Sequence, residues 1–168
     1  MVAQPTLKEL IVVMGISGAG KSTRGAALAK KMELPFLDAD DFHPRENVMK
    51  MSRGQALTDE DRWPWLGSIV QYALDSHRTS HVLACSALKQ SYRDYLGQRL
   101  DIKVLYLDLS REEAINRLSN RQNHFMPSSL VDSQLDTLEI PTEALSVKAT
   151  LSPDEIVNTA ASHFGYAK

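Results

Sequence analysis

At 168 residues, with 43% hydrophobic and 24% charged side chains, the chain has the make-up of an average folded domain, which argues against disorder and against a membrane class. Lys and Arg number 19 against 21 Asp and Glu, a formal net charge of −2. No broad field therefore gathers a nucleic-acid backbone or an anionic bilayer, and an anion must be held by local geometry. From Met1 to Glu9 there is no basic-then-apolar leader pattern, and the apolar stretch near Leu10 to Met14 is far too short to span a bilayer. A single cytoplasmic domain over 1–168 is expected, with neither nucleic acid nor membrane as partner.

In chain order, apolar runs too short for helices alternate with segments of helical period, the signature of an α/β fold with a mainly parallel sheet. The first strand is predicted over Glu9 to Met14 and a helix from Lys21 to about Met32. Between them stands Gly15-Ile16-Ser17-Gly18-Ala19-Gly20-Lys21-Ser22, which matches the P-loop, or Walker A, pattern in the strand-to-helix setting that motif requires. Its glycines let the backbone turn sharply and aim N–H groups at phosphate oxygens, a curvature a Cβ would obstruct. The helix start adds partial positive charge. Nucleotide contacts are thus expected from Gly15, Ser17, Gly18, Ala19, Gly20, Lys21, Ser22 and Thr23. Lys21 would bridge the β- and γ-phosphates of ATP, and the Ser22 hydroxyl would be a ligand of Mg²⁺.

A second strand, Pro35 to Leu37, leads into Asp38-Ala39-Asp40-Asp41. If the chain stays extended there, alternation places Asp38 and Asp40 on one side, facing one cleft; the competing reading is a helix cap or a solvent-facing acidic cluster, preferred for Asp41. The next helix should carry Leu66, Ile69, Val70, Ala73 and Leu74 on one stripe, with Pro64 in its first turn. The third strand, His81 to Cys85, makes the lone Cys85 a buried, inert thiol. It closes with Cys85-Ser86 instead of a Walker-B aspartate, and no Asn-Lys-x-Asp guanine reader occurs in the chain. A motor ATPase and a GTP switch are thereby disfavoured, and a small-molecule kinase remains.

A fourth strand, Lys103 to Leu107, precedes the capping box Ser110-Arg111-Glu112-Glu113. On the helix that follows, Arg117 and Arg121 are four apart and share a face. Gln122 to Pro127 breaks the pattern, and a further helix can start at Ser129 with Leu130, Val131, Leu135 and Leu138. This reads as a lid over about 121–140, the alternative being a solvated basic face; His124 is assigned no chemistry. A weaker strand, Leu145 to Ala149, and a helix opened by Ser152-Pro153-Asp154-Glu155 and stopped at Gly165 complete the chain.

Two resemblances extend these readings. The Asp38-x-Asp40 pair resembles that following the second strand of shikimate kinase and related small P-loop kinases. By that resemblance Asp38 would hold Mg²⁺ through water, and Asp40 would bond the acceptor hydroxyl and take its proton. The stretch His43-Pro44-x-x-Asn47-x-x-Lys50-Met51-x-x-Gly54-x-x-Leu57-x-Asp59-x-Asp61-Arg62-x-Pro64-Trp65-Leu66, together with Cys85-Ser86-Ala87-Leu88-Lys89 and Tyr92-Arg93, looks like the acceptor-binding region of gluconate kinases. The resemblance implies a three-layer P-loop fold with a five-stranded parallel sheet in order 2-3-1-4-5 and a helical lid. It also implies an acceptor region at about 40–65, a homodimer, and ATP-dependent phosphorylation of gluconate to 6-phosphogluconate. Arg117 would stack on adenine, and Arg121 would reach the phosphates and stabilise charge during transfer.

A polyhydroxy acid needs a fixed cation for its carboxylate and polar groups for its hydroxyls. The candidates are Asp40, His43, Arg45, Arg53, Asp61, Arg62, Lys89 and Arg93. Lys89 and Arg93 stand at the strand-to-helix edge where α/β folds place ligands. Arg45 and Arg53 could instead be exposed, Asp61 with Arg62 could be a helix-start salt bridge, and Trp63 and Trp65 are read as packing anchors. The rival functions are phosphorylation of shikimate or another small hydroxy acid, and slow ATP hydrolysis by a nucleotide-binding switch.

Overall fold

The structure is a computed structural model that describes residues 7–120 and 128–166. Five parallel strands, β1 (Glu9–Met14), β2 (Phe36–Asp38), β3 (Ser80–Ala84), β4 (Asp101–Asp108) and β5 (Leu145–Lys148), lie in the order β2-β3-β1-β4-β5. The expected order is thus the observed one. Period-two alternation along β1 explains the layering: Ile11 and Val13 face one core, and Leu10, Val12 and Met14 the other. Onto the first core pack α1 (Lys21–Met32), α5 (Arg111–Ser119), α6 (Ser128–Thr137) and α7 (Pro153–His163); the second is covered by α3 (Asp59–Asp75) and α4 (Gln90–Gly97). A short helix, α2 (Arg45–Ser52), lies between β2 and α3. Among the described residues no helix is long and apolar enough to cross a membrane.

Several boundaries differ from expectation, each for a local reason. β4 is longer than Lys103 to Leu107 because its ladder with β1 continues to the Glu9–Asp101 pair. α3 begins at Asp59, so Pro64 lies inside the helix and not in its first turn. Thr58 and Asp61 form a reciprocal capping box that starts the helix earlier. The bond Pro64 cannot donate would have gone to Glu60, in the first turn, and the proline ring itself is exposed. Leu74 sits at the edge of the stripe and is 46% exposed. After Asp38 the chain does not stay extended: a 3₁₀ turn, Ala39–Phe42, begins at once, capped by the Asp38 side chain, which accepts from the Asp40 amide at 3.0 Å. The cap anticipated at Ser110 is present, its hydroxyl accepting from the Glu113 amide. Cys85 is 2% exposed, and burial pushes its thiol up to about 12.

Candidate active site

At the carboxyl end of β1 the chain turns through the glycine loop into α1. Gly20 caps that helix with φ 90°, a left-handed value costly to residues with a Cβ. At Gly15 a Cβ would come within 3.0 Å of the Leu107 carbonyl oxygen, so glycine there permits the loop to nest against β4. The first turn of α1 carries no carboxylate of its own, which leaves the positive end of its dipole to anions brought from elsewhere. Lys21 folds over this loop, its Nζ donating to the Ile16 carbonyl at 3.1 Å.

From β2, Asp38 reaches back to the same place: the Ser22 hydroxyl donates to its Oδ2 at 2.7 Å. A hydroxyl and a carboxylate oxygen held together beside a phosphate loop are hard oxygen donors of the kind Mg²⁺ takes. Asp40 is solvent-accessible on the 3₁₀ turn. Lys21, Asp38 and Asp40 all lie within electrostatic reach of Cys85 at the end of β3, so these predicted phosphate, metal and acceptor residues gather around one strand end. The convergence comes from the turn, since the extended chain assumed for Asp38 and Asp40 is absent. Arg117 donates to the Gly18 carbonyl at 2.9 Å and to the Ala149 carbonyl at 2.8 Å, which seats its guanidinium beside the loop. Arg121 and His124 lie outside the described residues.

On the acceptor side the structure joins side chains from separate segments. His43 stacks on Trp65, ring centroids 4.2 Å apart, and Trp65 donates to the Ala39 carbonyl at 2.7 Å. Partial burial holds the imidazole below its ordinary range, opposed by nearby Asp40 and reinforced by Arg62. Arg62 donates to the Tyr92 hydroxyl at 2.7 Å, which donates to Asp59 at 2.6 Å, and Lys89 pairs with the same carboxylate at 3.0 Å. The Tyr92 and Lys89 bonds hold Asp59 below the usual carboxylate range, while Asp59 raises Lys89. Arg62 and Lys89, with Thr58, Asp59, Ser133 and Thr137, line a cavity of about 350 Å³, within the size range of small-ligand sites. A larger cavity of about 610 Å³ lies among Lys103, Leu145 and His163 at the amino ends of β4 and β5, away from the glycine loop.

Other candidates are placed differently. Asp61 points into the fold's own joints: it caps α3 and pairs with Lys50 at 2.6 Å, which together hold it at about 2. Its partner is therefore Lys50 and not Arg62. Arg45 and Arg53 are exposed at the two ends of α2. Arg93 is only 3% exposed, and its guanidinium donates to the carbonyls of Ala87 at 2.6 Å, Leu88 at 3.2 Å and Glu139 at 2.7 Å. It binds the loop after β3 to the segment after α6. Ala87 is held there at φ 45°, a conformation costing a non-glycine residue about 1–2 kcal/mol.

A profile of the shikimate kinase family matches residues 17–151. Over 160 residues the chain is 43% identical to a gluconokinase of Gluconobacter oxydans, covering 92% of this chain and 90% of that one. The chain belongs to the gluconokinase family. It is also 40% identical to the thermosensitive gluconokinase of Escherichia coli, over 79% of this chain and 73% of that one. The crystal structure of a gluconokinase from Sinorhizobium meliloti superposes with a TM-score of 0.83 at 42% identity, covering 94% of this chain and 92% of that one. A shikimate kinase from Bacteroides thetaiotaomicron, at 17% identity and a TM-score of 0.65, covering 92% and 97%, shares the fold. Gluconokinase family membership and the P-loop kinase architecture implied by the sequence motifs thus stand.

Sequence reasoning gave no role to four residues the structure places here. Asp59 and Tyr92 appear only within the family-like motifs; their joint bond needs the fold. Arg24, one turn into α1, lies 3.0 Å from where a Gly20 Cβ would be, and its buried Nε has no partner among the described residues. Burial, then the charge of Arg117, hold its guanidinium below the ordinary value, so two cations crowd the same side of the loop. Gln134 of α6 bonds the loop itself, across 117 positions of sequence, and no local pattern announces it.

Proposed function

We propose that the protein transfers the γ-phosphoryl group of ATP to D-gluconate, giving 6-phospho-D-gluconate. The observation that carries this reading is the extent of the gluconokinase similarity, 92% of the chain, which spans the glycine loop and the acceptor segment together. The loop amides and Lys21 hold the triphosphate, and the Lys21 ammonium neutralises charge on the transferred group. Ser22 and Asp38 would hold Mg²⁺, which supplies charge neutralisation across the phosphates. Asp40, accessible beside Ser22 and Asp38, orients the acceptor hydroxyl and accepts its proton. Arg62, Lys89 and His43 supply the cationic and polar groups for a sugar acid, with Arg117 at the nucleotide end of the loop. Arg121 is assigned to the phosphates by family resemblance, as are a homodimeric assembly and a cytoplasmic setting.

An assay coupling ADP release to a panel of sugar acids tests the reading. Gluconate should stimulate release far above the rate without acceptor; stimulation by shikimate or another acid alone would redirect the assignment, and stimulation by none would leave a nucleotide switch. Light scattering checks the dimer, and titration of activity with a chelator checks the metal.

A further inference from the structure

Helix α6 touches both halves of the site through different side chains. Gln134 Oε1 accepts the Ser17 backbone N–H at 2.7 Å, and its Nε2 donates to Ser17 Oγ at 2.9 Å. Because a backbone amide can only donate, the side-chain oxygen must face it, so the orientation of the Gln134 amide follows from chemistry. Adjacent to Gln134, Ser133 and, one turn on, Thr137 line the 350 Å³ cavity with Arg62 and Lys89.

The rest of α6 is tied down at its middle, along its buried face and just past its C-terminal end. Asp132 pairs with Arg111 of α5, with Nη2 at 3.2 Å, and Val131 is 1% exposed. Just past the helix the Glu139 amide donates to the Leu88 carbonyl at 2.8 Å, and the Glu139 carboxylate accepts from the Gln90 amide at 2.9 Å. These bonds flank Lys89, a cavity residue. A helix so clamped moves as a unit, and a displacement forced at Ser133 and Thr137 arrives at Ser17 through Gln134.

We infer that Gln134 is a positioning residue that couples the acceptor cavity to the phosphate loop, so that a sugar acid in the cavity tightens the loop around the nucleotide. The inference rests on the assignment of that cavity to the acceptor under the proposed function. Gln134 touches neither reacting group in this role. It acts through Ser17, a residue of the glycine loop whose N–H it holds, and by reciprocity the nucleotide must tighten the acceptor by the same factor.

The test reads coupling without turnover. Amide exchange across residues 15–20 is followed with and without D-gluconate in nucleotide-free protein, and calorimetry gives the affinity of a non-hydrolysable ATP analogue with Mg²⁺ in the same two conditions. In the wild type gluconate alone should slow exchange in the loop and tighten the analogue at least about fivefold. Gln134→Leu, similar in size and without polar atoms, should bring that factor to about one while gluconate still binds, and Gln134→Glu, which keeps an acceptor for the Ser17 amide, should keep gluconate-dependent protection of the loop. If Gln134→Leu fails to fold, Ser133→Ala combined with Thr137→Val cuts the connection at its cavity end and should abolish the same factor. A factor of one in the wild type, or an undiminished factor in either severed variant, overturns the inference. The ADP-release assay on the wild type separates the two levels: stimulation by gluconate with a coupling factor of one defeats only this inference, whereas no stimulation by any sugar acid defeats both.

Discussion

The donor and acceptor halves of this site are built from different materials. The donor half is a contiguous run of backbone, Gly15 to Ser22, whose curvature and helix dipole would do most of the binding under the proposed function, with Lys21 and the Ser22–Asp38 pair added. The acceptor half is a mesh of side chains from α3, α4 and the loops before them, in which Arg62, Tyr92, Asp59 and Lys89 are bonded to one another before any ligand arrives. A backbone cradle tolerates changes around it and fails only at its few special residues. A side-chain mesh shares its partners, so each of its members serves both ligand and fold.

This contrast can be broken at its strongest point first. Lys21→Ala should lower kcat by at least about a thousandfold, the scale of losing a charge-stabilising group in transfer, with an unchanged melting curve. Retained turnover would remove Lys21 from the donor half. Asp40→Asn should cost about a hundredfold or more in kcat, the scale of general base catalysis, with ATP affinity nearly intact; equal losses in kcat and affinity would make Asp40 a structural residue.

Arg93→Met probes the boundary between mesh and fold. Three carbonyls lose their donor in a buried setting, so a stability loss of about 2–4 kcal/mol is expected from urea unfolding, with the KM for the sugar acid rising only as far as the loop loosens. A large KM change at unaltered stability would return Arg93 to the ligand. Lys50→Met is the mildest. Asp61 is held at about 2, below its ordinary 3.8, so its contribution is complete above about 3.8 and fades as pH falls toward 2. The melting temperature gap between wild type and Lys50→Met should therefore exist at neutral pH and close across that acid window; a gap independent of pH would deny the ion pair its part.

The same division governs what could be read from sequence. Strands declared themselves because apolar runs and period-two alternation are local properties, and the loop at Gly15 to Ser22 did so because all its parts are neighbours in the chain. The caps at Ser110 and Ser152 span four consecutive residues each and were equally legible. Arg93 was not. A cation at a strand-to-helix edge suits a ligand, and only the fold reveals that the carbonyls of Ala87, Leu88 and Glu139 converge on it. Asp38 and Asp40 came to one place through a 3₁₀ turn that alternation did not foresee, because the Asp38 side chain competes for the Asp40 amide. Gln134 and the Asp59–Tyr92 bond depend on segments far apart in the chain, where composition and spacing carry no signal.

The thiol at the end of β3 offers a clock for the whole molecule. Cys85 is the chain's one sulfhydryl, sealed at 2% exposure and held protonated by burial, so alkylating reagents must wait for the sheet to part around it. Its modification rate under native conditions thus times an opening around the end of β3, and under the proposed function a ligand bound on either side of that strand end should lengthen the interval.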